Sequence, residues 1–157
     1  MTTEANDQRP ALSSAADIEA LADQLSASAD ELHTRVMAEV RKHKGAQVSE
    51  AEKTLARAML DDEVLLRQRA NALYADAATL VVTSLAASQA QVMQLAVEAA
   101  EKIRKISRIA DVAGLVGGLL SLAGAAATGQ AAPIIVAIER LSKHIKIVNA
   151  SAPNKAA

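Results

Sequence analysis

Residues 112 to 138 read VAGLVGGLLSLAGAAATGQAAPIIVAI, 27 positions without one charged side chain. Basic residues gather at both ends of the stretch: Lys102, Arg104, Lys105 and Arg108 before it, Arg140, Lys143 and Lys146 after it. A helix rises about 1.5 Å per residue, so a segment of this length can cross a hydrocarbon core about 30 Å thick. A helix apolar on every side is buried somewhere, in lipid or in protein. Which of the two applies decides how the rest of the chain is organised around it.

A single span normally carries its Lys/Arg excess on one side. Bases on both flanks predict instead a hairpin over 109–138 with both feet on one face. Gly124, Thr128, Gly129, Gln130 and Pro133 form a breaker-rich patch near its middle, with Gly129 suited to end one helix and Pro133 to begin the next. The side chains expected to enter a bilayer are Val112, Leu115, Val116, Leu119, Leu120, Leu122, Ile134, Ile135, Val136 and Ile138. Together they contribute roughly −3 to −6 kcal/mol on the insertion scale. The glycines, Pro133, Gln130, Ser121 and Thr128 offset much of that, so the expectation is conditional insertion. Gly114, Gly117, Gly118, Ser121, Ala125 and Gly129 are the expected helix-packing positions, and four of them (117, 121, 125, 129) recur every fourth residue as small faces do in membranes. The seven flanking bases are the expected contacts to anionic lipid headgroups, at ~1 kcal/mol per base near the surface. The competing expectation is a soluble bundle in which the same stretch is the buried end of the protein or is covered by a partner.

Composition points to helix throughout. Alanine makes up about a quarter of the 157 residues, Phe, Trp and Cys are absent, and Tyr74 is the single aromatic side chain. Such an Ala/Leu/Glu/Lys/Arg bias belongs to long helices. With no cysteine there is no disulfide and no thiolate chemistry. The net charge of −1 hides an asymmetry: residues 1–40 are acidic and residues 101–157 basic. Without aromatic platforms for bases, and with few basic residues, nucleic acid binding is not expected. Residues 1–16 lack the cationic start and apolar core of a secretory signal. The expected localisation is cytoplasmic at synthesis, with conditional membrane association or non-classical export.

The fold expected is all-α: an elongated antiparallel helical bundle with a long central helix and a C-terminal apolar hairpin. Residues 1–11 read as a tail, 12–148 as one helical domain and 149–157 as a second tail. Ser14 and Asp17 start a first helix over about 14–44, whose face is Ile18, Leu21, Leu25, Leu32, Val36 and Val40. Arg41, Lys42, His43 and Lys44 suit its last turn and Gly45 its end. Ser49 with Glu52 is a capping box. From there to Ala113 neither Gly nor Pro occurs, and one apolar stripe advances about 3.6 residues per step from Leu66 to Gly117, the period of a straight helix rather than a tight coiled coil. Unbroken to Ala127 it would run on the order of 115 Å, so a break is expected at Asp61–Asp62 or near Ser88, dividing it into about 50–87 and 88–128. A cationic amphipathic helix over 133–148 completes the domain.

No catalytic constellation appears. His33, His43 and His144 have no metal-like or acid–base spacing, the glycines are not followed by Lys-Ser/Thr, and the Asp61–Asp62–Glu63 run suits a helix dipole better than a cation. Pairs such as Glu31 with Arg35, Glu63 with Arg67 and Glu139 with Lys143 describe solvated helix faces. The expectation is therefore a non-enzymatic protein with no cofactor, metal or small-molecule substrate. Its partners would be anionic membrane lipid, its own copies or a helical protein. An uncharged head between a long helix and a returning amphipathic one resembles, in outline over residues 92–148, the α-helical pore-forming toxins and colicin-type hydrophobic hairpins. That resemblance implies a membrane-perturbing oligomer and rests on no shared motif. Most of those proteins have interfacial aromatic residues, which this chain lacks.

Overall fold

The computed structural model describes residues 9–42, 48–106 and 108–151, and among these it contains helices and connections only. The helices are α1 (Ala15–Lys42), α2 (Glu50–Asp76), α3 (Gln89–Lys105), α4 (Ile109–Ala126) and α5 (Ala131–Ser151), with a single 3-10 turn at Ala77–Thr79. The protein is an all-α bundle. His43, Lys44 and Gly45 lie outside the described residues, as do residues 1–8 and 152–157.

Local chemistry accounts for most helix starts. The Ser14 hydroxyl accepts from the Asp17 N–H at 3.2 Å and opens α1, which buries Ile18, Leu21, Leu25, Leu32 and Val36 along one face. Ser49 and Glu52 form the reciprocal capping box that starts α2. Ser88 Oγ accepts from the Gln91 N–H at 3.1 Å and starts α3, so the break expected near Ser88 is present. Gly129 takes a positive φ of 65° in the α4–α5 turn, a conformation that costs glycine nothing. Pro133 then sits in the first turn of α5, where its missing N–H would be unpaired anyway.

The long helix is more broken than its stripe implies. The helix expected over 50–87 stops at Asp76, and residues 77–88 form a connector. Four β-branched residues, Thr79, Val81, Val82 and Thr83, followed by Ser84 disfavour helix there. The stripe positions Ala77 and Leu85 are buried in this connector, while at the step between them Val82 is buried and the stripe residue Val81 only partly so. The helix expected over 88–128 is in fact two, α3 and α4, since Ile106 turns extended with φ −69° and ψ 139°. Arg35 of α1 donates to the Ile103 carbonyl at 3.0 Å and so caps an acceptor that the last turn of α3 leaves free.

Contacts between side chains fix the directions. Asp23, Asp30 and His33 of α1 meet Tyr74, Arg67 and Glu63 of α2 in reverse order, so these helices are antiparallel. Gln89 contacts the start of α1, and Arg35 and Glu31 reach Ile103 and Arg104 near the end of α3; α1 and α3 are therefore parallel neighbours. α1 packs on α2 and α3, and α4 packs on α2, α3 and α5. Consecutive helices α2 and α3 thus occupy opposite corners, and the connector must cross the base of the bundle between them. Leu80, Val82 and Leu85 turn inward or lie against the core as it crosses. The segment expected as an N-terminal tail also joins the fold at its described end: Ala11 is fully buried, and its N–H donates to the Ala87 carbonyl at 2.8 Å. At the other end α5 continues to Ser151 rather than stopping at 148.

Candidate functional site

Most of the large apolar side chains of the uncharged stretch are buried. Val112, Leu115, Val116, Leu119 and Leu122 on α4 and Ile134 on α5 are each 0% exposed, and Ile138 is buried with them. Leu120 and Ile135 are partly buried against the same core. Of the ten side chains expected to enter a bilayer, Val136 alone is largely exposed, at 55%. An all-round apolar helix is satisfied here by helices on its sides, although α4 is also long and apolar enough to cross a membrane by length and composition.

The small residues sort differently from the every-fourth-residue ladder. At Gly118 an added Cβ would lie 2.8 Å from Leu141 Cδ1 and 3.6 Å from Leu141 Cα, and at Gly114 it would lie 3.5 Å from the His144 ring. At Gly117 nothing stands within 4 Å. The close α4–α5 approach therefore runs along Gly114 and Gly118, one position round the helix from the Gly117 ladder. Ser121 meets Arg140, whose Nη1 donates to its hydroxyl at 3.4 Å, while Ala125 is buried. Gly129 lies against Leu80 of the connector.

The basic flanks are brought toward the same end of the bundle, because α4 descends from it and α5 climbs back. Part of that charge has local work. Lys102, Arg104 and Lys105 sit in the last turn of α3, where cations complement the helix dipole. Arg104 also pairs with Glu31 at 3.7 Å, and Arg108 lies 4.0 Å from Asp111 at the start of α4. Arg140, Lys143 and Lys146 stay exposed on α5. With Val136 and Ile147, both more than half exposed, Arg140 and Lys143 share the outward side of that helix.

A second surface lies away from the uncharged stretch. Val36, Val40, Leu55, Ala56, Met59 and Ile109 line an apolar groove of about 210 Å³ where α1 ends, α2 begins and α4 begins. Glu39, Glu52 and Lys53 stand at its rim. Val40 belongs to the predicted α1 face yet is 49% exposed, which the sequence pattern does not signal. Met59 forms the floor at 1% exposure.

The remaining polar groups are mostly structural. Arg67 bridges Asp30 and Glu63 at 2.8 and 3.0 Å, and His33 Nδ1 lies 2.8 Å from Glu63. These exposed pairs are worth about 0–1 kcal/mol each and serve mainly to set the α1–α2 register. The Glu63–Arg67 pair follows the sequence expectation, whereas Arg35 pairs with Glu39 and Glu31 with Arg104. Burial, with Asp61 adding to it, raises the Asp62 carboxyl above its ordinary range. Tyr74 donates to Asp23, which holds its hydroxyl pKa up. Among the described residues no three His, Asp or Glu side chains gather as a metal-binding group. Compared with known proteins, the chain matches no family model, no curated protein and no solved structure.

Proposed function

We propose that this protein works by binding rather than catalysis, as a helical interaction module. In this reading the α4–α5 pair is the module's own core, and the open apolar groove between α1 and α2 receives apolar side chains of a helical protein partner. The observation that carries it is the contrast in burial. Val112, Leu115, Val116, Leu119 and Leu122 are enclosed, while the aliphatic groove around Val40 and Leu55 is left open. Exposed apolar clefts with a charged rim are the ordinary form of a helix-receiving surface. The experiment is vesicle flotation with anionic and zwitterionic lipid. The module stays with the unbound fraction in both. Flotation of the protein with anionic vesicles overturns the module reading in favour of the membrane one.

A second reading has its own support. Helix Ile109–Ala126 has the length and composition of a membrane span, and bases flank the hairpin toward one end. In it the 109–138 hairpin leaves α1, α2 and α3 to dock on or enter an anionic bilayer, as a membrane-perturbing oligomer. Binding to anionic vesicles that weakens from low to high salt supports this reading, because exposed charges are screened over a Debye length of about 8–10 Å.

A further inference from the structure

The geometry points to a latch at the base of the bundle: residues 9–12 hold the 77–88 connector closed, and their release opens the α4–α5 turn while α1 and α2 stay paired. The strap is tied mainly through its backbone. The Gln89 N–H donates to the Arg9 carbonyl at 2.9 Å, the Ala11 N–H to Ala87 at 2.8 Å, and the Val82 N–H to Leu12 at 2.8 Å. Pro10 faces Ser88 as an antiparallel bridge pair. Gln89, only 5% exposed, joins strap to helix: its Oε1 accepts from the Leu12 N–H at 2.9 Å and its Nε2 donates to the Asp17 carbonyl at 3.3 Å. The buried Asp17 carboxylate in turn accepts from Arg9 Nε at 3.2 Å and Ser13 Oγ at 3.3 Å.

Two features make this an element poised to open rather than a passive end. Leu12 holds a φ of 58°, a left-handed conformation that a branched side chain keeps only where its surroundings over-determine it. Its side chain is 1% exposed and both its backbone groups are bonded, so closure of the strap is what maintains the strain. The connector then carries the strap's position to the apolar hairpin. Val82 and Ala87 are its points of attachment, and Leu80, two residues from Val82, lies on the turn: a side chain at Gly129 would begin 3.5 Å from Leu80 Cα. The α1–α2 seam of Asp23–Tyr74, Asp30–Arg67 and His33–Glu63 is made of pairs that include no strap or connector residue. Local opening of such units is separable from global unfolding. The latch rests on neither functional reading, since opening uncovers Leu80, Val82 and Leu85 whichever surface they then meet.

Because the chain has no cysteine, a Pro10→Cys/Ser88→Cys double variant can close the latch on command. A bridge pair flanked by its hydrogen bonds has Cα atoms about 4.5 Å apart, within disulfide reach. Peptide-resolved hydrogen exchange on the full chain should show residues 77–88 and 126–131 slowed about tenfold or more on oxidation and restored on reduction. Gln89→Ala, which strands the buried Leu12 N–H, should accelerate the same two segments about tenfold and leave 50–76 unchanged. Equal exchange at 126–131 in the oxidised and reduced forms overturns the proposal, as does acceleration of every helix together in Gln89→Ala. Should Gln89→Ala fail to fold, the disulfide comparison decides alone.

Discussion

Two adjacent glycines in α4 should respond to the same substitution with opposite signs. Gly117→Ala adds a methyl group where nothing lies within 4 Å, and replacing glycine by alanine in a helix interior gains about 0.5–1 kcal/mol. For a chain of this size that is a rise of roughly 1–4 °C in Tm. Gly118→Ala gains the same helix propensity but drives its Cβ to 2.8 Å from Leu141 Cδ1. Leu141 is 0% exposed, so its terminal methyl has nowhere free to go, and overpacking of a filled core costs about 1–3 kcal/mol. Propensity cancels between the two variants, so their difference measures the α4–α5 contact alone: Gly118→Ala should be less stable than Gly117→Ala by ~1–3 kcal/mol. Urea unfolding followed by far-UV circular dichroism reads this directly. Equal stabilities would refute the close approach at Gly118, and a reversed order would place the contact on the Gly117 face that the sequence pattern suggested.

Three further outcomes follow from named contacts. Leu119→Ala should destabilise by about 2–5 kcal/mol because it opens a cavity in a closed core. Val136→Ala, at a residue 55% exposed, should stay within about 1 kcal/mol of the parent; the same urea assay compares them. Asp23→Asn removes the carboxylate that holds the Tyr74 proton, so the phenolate absorbance titration, which reports Tyr74 alone in this chain, should move down toward the ordinary value of about 10. Asp62 binds its proton more tightly folded than unfolded, so its contribution to stability falls as pH rises above the ordinary Asp value of about 3.9. Asp62→Asn should therefore raise Tm at pH 7 and lose that advantage below about pH 3.9, as thermal melts across pH would show.

Features set by short-range chemistry were legible in the residues. The caps at Ser14 and Ser49, the break near Ser88, the glycine turn at Gly129 and the α1 face from Ile18 to Val36 all depend on neighbours within a few positions. The helix break at Ile106 was not legible, because neither Gly nor Pro marks it and the guanidinium that caps the Ile103 carbonyl lies 68 residues away. The Lys102–Arg108 cluster also marks a helix C-terminus followed by the acidic start of the next helix. The 77–88 connector kept a helical stripe because it crosses the base of the core and must bury side chains there, so periodicity alone could not separate it from helix; its run of β-branched residues could have. The groove around Val40 arises where a predicted stripe outlasts its partner, which becomes visible only once α2 and α4 are placed.

Whether the apolar stretch is the core of the bundle can be read from a single thiol placed inside it. Leu119→Cys introduces the one cysteine of the chain, and its reaction with a water-soluble maleimide can be timed in buffer, in urea and with anionic vesicles. Leu119 is 0% exposed between the packed helices, so labelling should be slow in buffer, unchanged by vesicles and fast in urea, where the bundle opens. Fast labelling in buffer would contradict it.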